Sequence, residues 1–301
     1  MCHPERSEGS NVLDSSAPKN VAPQNDMTGG LLRMTCITVA ASLLLAMTIF
    51  FLPMPALAEV QTSLWQIKKS DHFIIYFQDV PLSYIDEVME KAEYYYKSIT
   101  DELGFTRYDS FWTWDKRAKI YLFKTQAEYR NKTNQPKWSA AGVNVIKHEI
   151  VAYLNMKDFF DITLPHEMGH IIFREFIGYD KRLPLFLDEG VASFLEKGQR
   201  PDRLLIARAL AKVKIKAFMN LTDLSGVVRG GITMPDVFYS EAASFIDFLI
   251  EVYGKDRFVS FCKALRDLEL DQDWTRALIE VYSFDSFSEM NDAWVAFLVK
   301  K

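Results

Sequence analysis

Two histidines and a glutamate interrupt an apolar run, and they most constrain how this 301-residue chain folds. The run is Leu164-Pro165-His166-Glu167-Met168-Gly169-His170-Ile171-Ile172-Phe173. Thr163 is placed to cap a helix here, Pro165 suits a first turn and Gly178 a stop, so a helix is expected over 164–177. Its apolar flanks predict burial, and buried imidazoles and carboxylates need partners. His166 and His170 are four residues apart, about one turn, so both rings leave one face. Glu167 lies one step further round.

That spacing can place two nitrogens on one zinc ion at about 2.0–2.1 Å each. Glu167, too close to His166 to be an easy third ligand, would sit beside the open position and take a proton from zinc-bound water. Eighteen residues separate His170 from Glu189, in Leu187-Asp188-Glu189-Gly190-Val191-Ala192-Ser193-Phe194. Glu189 falls early in a second helix, expected from Pro184 to before Gly198. That helix can return antiparallel and bring Glu189 to the histidine face, with Gly190 letting the two backbones approach. His166, His170 and Glu189 plus a water make an open catalytic site, whereas a structural site would more often be closed by cysteines.

The rest of the chain reads as α+β. Strands are expected at 72–77, 119–123 and 149–154, the last pairing with 142–146 across a turn. Ile120 and Leu122 should share a face. A helix follows the first strand through Ile85, Val88, Ala92, Ile99 and Leu103 and stops at Gly104. Later helices are expected near 202–216, 237–253, 256–267, 272–281 and 285–299. The aromatic residues Trp112, Trp114, Tyr121, Tyr129 and Trp138 enrich the first half without indicating a pocket.

His166-Glu167-Met168-Gly169-His170 followed after eighteen residues by Glu189 resembles the gluzincins. The wider runs from Leu164 to His170 and from Leu187 to Phe194 look like the peptidase MA-like family of that clan. Tyr239-Ser240-Glu241-Ala242-Ala243-Ser244-Phe245 with Val252-Tyr253-Gly254 is similar to the family's next helix, and Asp71-His72-Phe73 to its opening strand. The resemblance implies a small sheet-containing N-terminal lobe over a mainly helical C-terminal lobe, with zinc in the cleft. It also implies hydrolysis of peptide bonds in a peptide or protein substrate, and it puts the strand at 149–154 at the cleft rim with an unpaired edge where an extended peptide could add as a further strand; the alternative is an internal strand paired on both sides. Some gluzincins take a tyrosine from a downstream helix to stabilise the oxyanion, which makes Tyr239 the candidate; a core tyrosine is the other reading. His148 is the second candidate for that role, against a plain strand histidine. His72 reads as structural. Asp188 is expected to point away from the site as a helix-start carboxylate, and Ser193 to support a ligand histidine.

Residues 1–58 stand apart. Arg33, an apolar stretch over 34–52 and Ala56-Leu57-Ala58 describe a secretory signal cleaved after Ala58. The alternative is an uncleaved membrane anchor at 34–52, and Met27 and Met34 are alternative starts. The catalytic domain is then expected over 59–301, periplasmic or secreted. Beyond residue 58 the chain keeps one cysteine, Cys262, in an apolar helical pattern that marks a buried hydrophobe. A net charge of −5 with no basic stretch argues against a nucleic-acid partner. The competing function is a non-catalytic zinc-binding or scaffold protein of the cell envelope on a peptidase fold, against which the intact Glu167 argues.

Overall fold

The computed structural model describes residues 64–105, 112, 116–133, 141–196, 198, 200–213, 218–228, 230–269 and 273–300. The leader at 1–58, the anchor alternative at 34–52, Trp114 and Trp138 lie outside them. Among the described residues no helix is long and apolar enough to cross a membrane.

Alternation builds the sheet. In β2 (Phe73–Phe77) and β3 (Ala118–Phe123), Phe73, Ile75, Phe77, Ala118, Ile120 and Leu122 turn inward and are buried. On the other face Tyr76 stacks on Tyr121, with ring centroids 4.8 Å apart. β1 (Gln66–Lys69) lies antiparallel to β2, β2 and β3 are parallel, and β3 is parallel to β5 (Glu149–Tyr153). β4 (Gly142–Asn144) closes the order β1-β2-β3-β5-β4, antiparallel to β5. Two expectations change. β1, short and lysine-bearing, carries too little apolar pattern to be read locally. More important, β5 is paired on both sides, so it offers no free edge; the edge strand is β4.

α1 (Leu82–Glu102) makes the crossover from β2 to β3 and buries Ile85, Val88, Ala92, Tyr96 and Ile99. α2 (Gln126–Thr133) follows β3 and buries Tyr129. After β5 the chain passes through a π-helical turn, Phe159–Thr163, directly into α3 (Leu164–Ile177). Thr163 is therefore already helical, with no capping hydrogen bond from its side chain, and Asp158 (φ 56°) starts the turn. α4 (Leu185–Phe194), α5 (Pro201–Val213), α6 (Leu221–Ser225) and α7 (Pro235–Tyr253) follow. α8 (Lys255–Asp267), α9 (Trp274–Tyr282) and α10 (Phe287–Lys300) complete the fold. Strands first and helices afterwards give the α+β class the pattern indicated. Cys262 is buried in α8 beside other core residues, as its pattern implied.

Two glycines set how closely α4 is held. A Cβ on Gly169 would meet Leu195 Cδ1 at 2.7 Å and Ala192 Cα at 3.2 Å, so this glycine seats α3 on α4. A Cβ on Gly190 would meet the Ala242 carbonyl oxygen at 2.8 Å and its carbon at 3.1 Å. Gly190 thus serves the contact of α4 with α7, not the contact with α3 that its sequence position suggested. Beside it, Glu241 is buried on α7 with 0% exposure. Among the described residues its carboxyl takes only the Met219 N–H, at 3.2 Å, and burial pushes its pKa up to about 8.

Gly190→Ala should lower stability by about 1–3 kcal/mol, because backbone on the partner helix cannot yield as a side chain can. Gly226→Ala, whose Cβ would meet nothing closer than 3.5 Å, serves as control. Equal urea midpoints for the two variants would refute the close approach. For Glu241, folded and unfolded chains both hold the proton below about pH 4.3. Between there and about pH 8 the unfolded chain releases it and the folded chain keeps it, so stability falls as pH rises. Glu241→Gln should remove this slope of up to about 1.4 kcal/mol per pH unit. Denaturation curves at pH 5, 6 and 7 that differ from native by a constant amount would contradict it.

Candidate metal centre

α3 and α4 bring three side chains to one point. His166 Nε2 lies 3.2 Å from His170 Nε2, and the Glu189 Oε2 oxygen lies 3.6 Å from the first and 3.5 Å from the second. Ligands at about 2.0–2.1 Å in a tetrahedron are separated by about 3.3–3.4 Å along each edge. The triangle therefore has the size of one face of a tetrahedral zinc site, and these three residues could hold a metal ion. Two imidazoles and a carboxylate, with no thiolate, form a donor set that first-row divalent metals, zinc among them, accept.

Each imidazole is fixed from behind. His170 Nδ1 donates to Asp188 Oδ1 at 3.1 Å, and the other oxygen of Asp188 accepts from Arg174 Nε and Nη2 at 3.1 and 2.9 Å. Arg174 is itself anchored on the Lys181 carbonyl at 2.9 Å. His166 Nδ1 donates to Glu196 Oε1 at 2.6 Å, and Glu196 Oε2 accepts from Arg203 Nε at 2.9 Å and Nη2 at 2.8 Å. With Nδ1 committed as donor, each ring turns its Nε2 lone pair to the triangle, and the carboxylate raises its basicity.

The charges follow. Burial works against a charged imidazole, but Asp188 and Glu189 outweigh it and push His170 up to about 10. His166 is raised in the same way by Glu189 and Glu196. Burial alone would raise the carboxyls of Glu189 and Asp188. The histidines lower Glu189, and His170 with Arg174 lowers Asp188.

A cavity of about 730 Å³ opens onto the triangle. Ala141, Gly142, Val143 and Val145 along the edge strand form one wall, and Leu185, Ile232 and Pro235 add apolar surface opposite. His166, Glu167, His170, Asp188, Glu189 and Tyr239 line the same cavity. Glu167 therefore lines the cavity onto which the triangle opens. Tyr239 is in the cavity wall with its ring on Arg203, the guanidinium 5.3 Å from the ring centroid.

His148 does not line this cavity. Its Nε2 lies 2.6 Å from the Tyr179 hydroxyl and 2.7 Å from Glu175 Oε2, and it occupies a turn before β5 with φ 53°. His72 is structural, with Nδ1 2.6 Å from Glu93 and its ring stacked 4.0 Å from Tyr96. Two sequence readings are corrected. Asp188 does not point away but holds His170, because the turn of α4 that presents Glu189 also brings its neighbour against α3. Ser193 supports neither histidine; its Oγ has no partner among the described residues. The support that sequence reading assigned to it belongs to Glu196. Arg174 and Arg203 were not read as site residues. A signal existed for Glu196, which is seven residues after Glu189 and so on the same face if the helical phase continues.

A family model of the peptidase MA superfamily matches residues 111–300, which include every residue of the triangle and its supports. No curated protein matches the chain.

His170→Ala should abolish stoichiometric metal uptake, and Glu196→Gln should weaken it by about 10–100-fold while leaving the three ligands in place. Chelator competition on the purified protein measures both. Native affinity in Glu196→Gln would show that the buried carboxylate contributes nothing to the site.

Proposed function

The chain belongs to the peptidase MA superfamily, and on that premise we propose that it is an exported zinc metallopeptidase. His166, His170 and Glu189 hold the zinc, and Glu167 is the general base. The observation that carries this reading is the triangle of Nε2, Nε2 and Oε2 atoms with 3.2–3.6 Å edges, held open to a cavity by two carboxylate–arginine pairs. A bound zinc supplies Lewis acidity toward the scissile carbonyl and acidifies water.

The chain's own groups do the rest. The Glu167 carboxylate accepts the proton of the attacking water and returns it to the leaving amine. Its place one residue from His166 puts it in the cavity without making it a ligand. Tyr239 donates its hydroxyl proton to the oxygen that becomes negative as the carbonyl turns tetrahedral. Arg203 beneath its ring ties that tyrosine to the pair holding His166. The substrate binds as an added strand on β4, the sheet edge that walls the cavity, through main-chain hydrogen bonds indifferent to sequence. In this arrangement the sheet-bearing part and the helices from α3 onward act as the two lobes of a gluzincin. Export rests on the apolar stretch at 34–52 and the Ala56-Leu57-Ala58 site.

Glu167→Gln should keep its zinc by elemental analysis and lose hydrolysis of a peptide library by about 10²–10⁴-fold. Tyr239→Phe should lower kcat by about 10²–10³-fold with little change in KM. Near-native turnover in Glu167→Gln would exclude it as the base. A native protein that binds zinc and cleaves no peptide would favour the scaffold role.

A further inference from the structure

β4 walls the cavity at the metal triangle, and among the described residues its one strand neighbour is β5. Three ladder pairs join them: Gly142 with Val151, Val143 with Ile150 and Asn144 with Glu149. Val143 and Val145 add packing against the core. A hairpin arm held by so few pairs is marginal unless something further fixes it. The distance from β4 to α3 nevertheless sets the width of the cleft, because α3 carries both histidines of the triangle.

The turn that leaves β4 makes a contact across that distance. His148 closes the turn, its N–H donating to the Val145 carbonyl at 3.3 Å. With φ 53° it sits in the left-handed region, which is uncommon for a residue bearing a side chain. Its carbonyl accepts the Lys119 N–H of β3 at 2.7 Å. Its ring lies against Trp112, with centroids 6.2 Å apart, and reaches the C-terminal end of α3. There Nε2 lies 2.7 Å from Glu175 Oε2 and 2.6 Å from the Tyr179 hydroxyl, which itself donates to Glu175. Facing a carboxylate, Nε2 carries the proton and donates it. Burial would raise the Glu175 carboxyl, but the bonds from His148 and Tyr179 hold it below the usual carboxylate range. Hydrogen bonds to an ionised acceptor are the stronger kind. Glu175 is five residues after His170 on the same helix. An uncommon backbone conformation persists where its surroundings hold it, and here they tie the β4 turn to the motif helix.

We propose that His148, Glu175 and Tyr179 form a clamp that holds β4 at the spacing from α3 that a bound peptide strand requires. His148 is then a positioning residue for substrate binding. It does not line the cavity, so it acts through the strand. The proposal rests on the reading of β4 as the strand that receives the substrate.

Amide hydrogen exchange on the full chain reads the clamp without any cleavage. His148→Asn suits the test, because asparagine tolerates the left-handed backbone and is too short to reach Glu175. It should speed exchange over residues 142–147 by about tenfold, the loss of one charge-assisted hydrogen bond, and leave α8 and α10 at native rates. Glu175→Ala should do the same, and the double variant should be no faster than either single one. Tyr179→Phe, which removes one hydroxyl, should act at the same residues and more weakly, and it decides the matter if Glu175→Ala does not fold. On a peptide that the native chain cleaves, His148→Asn should raise KM by about 3–10-fold, with kcat within about twofold and metal content unchanged. Native exchange over 142–147 in His148→Asn, or faster exchange spread through α8 and α10, would overturn the clamp. A looser β4 with native KM would overturn its part in substrate binding. A native chain that cleaves no peptide would instead overturn the peptidase reading, and exchange would still decide whether the clamp exists.

Discussion

Two imidazoles buried between α3 and α4 can be tolerated only because each is answered by a carboxylate, and each carboxylate by an arginine. Asp188 with Arg174 answers His170, and Glu196 with Arg203 answers His166. A buried unpaired charge would cost several kcal/mol. The pairs remove that cost, fix both ring orientations and leave the Nε2 atoms converging with Glu189. The position of α5 follows from this demand, since Arg203 must reach Glu196. So does the path of the chain after α3, since Arg174 is anchored on the Lys181 carbonyl.

The ligand set was legible because it obeys local rules. Four-residue spacing on a helix fixes the two histidines relative to each other, and a carboxylate early in the next helix needs only a short return to meet them. Their supports were not legible. Asp188 and Glu189 are sequence neighbours, and nothing local says that the helix turn presents both toward α3. Arg203 acts across a helix boundary, where no periodic pattern pairs it with Glu196. The same limit applied to the sheet. Alternation in 119–123 put Ile120 and Leu122 on one face, and both are buried. Which strand ends the sheet depends on lateral order, and the three-residue β4 is too short to announce itself.

Gly190 illustrates how a residue read correctly in kind can be wrong in partner. A close backbone approach was expected there, and one exists, but against Ala242 of α7. The α3 contact is made at Gly169, between the two histidines, where Ala192 and Leu195 press on the motif helix. The x-x of the motif is therefore not free: its second position is held small by packing on the face away from the cavity.

The π-helical turn at Phe159–Thr163 runs into α3 without a break and without a side-chain cap. The rotational phase of α3 is thus inherited from the turn before it. Removing one residue from that turn would rotate every later position by about 100° if the helix kept its axis. Both histidines would swing off the cavity together, with the motif itself unaltered. The length of this five-residue segment acts as the angular setting of the candidate metal site.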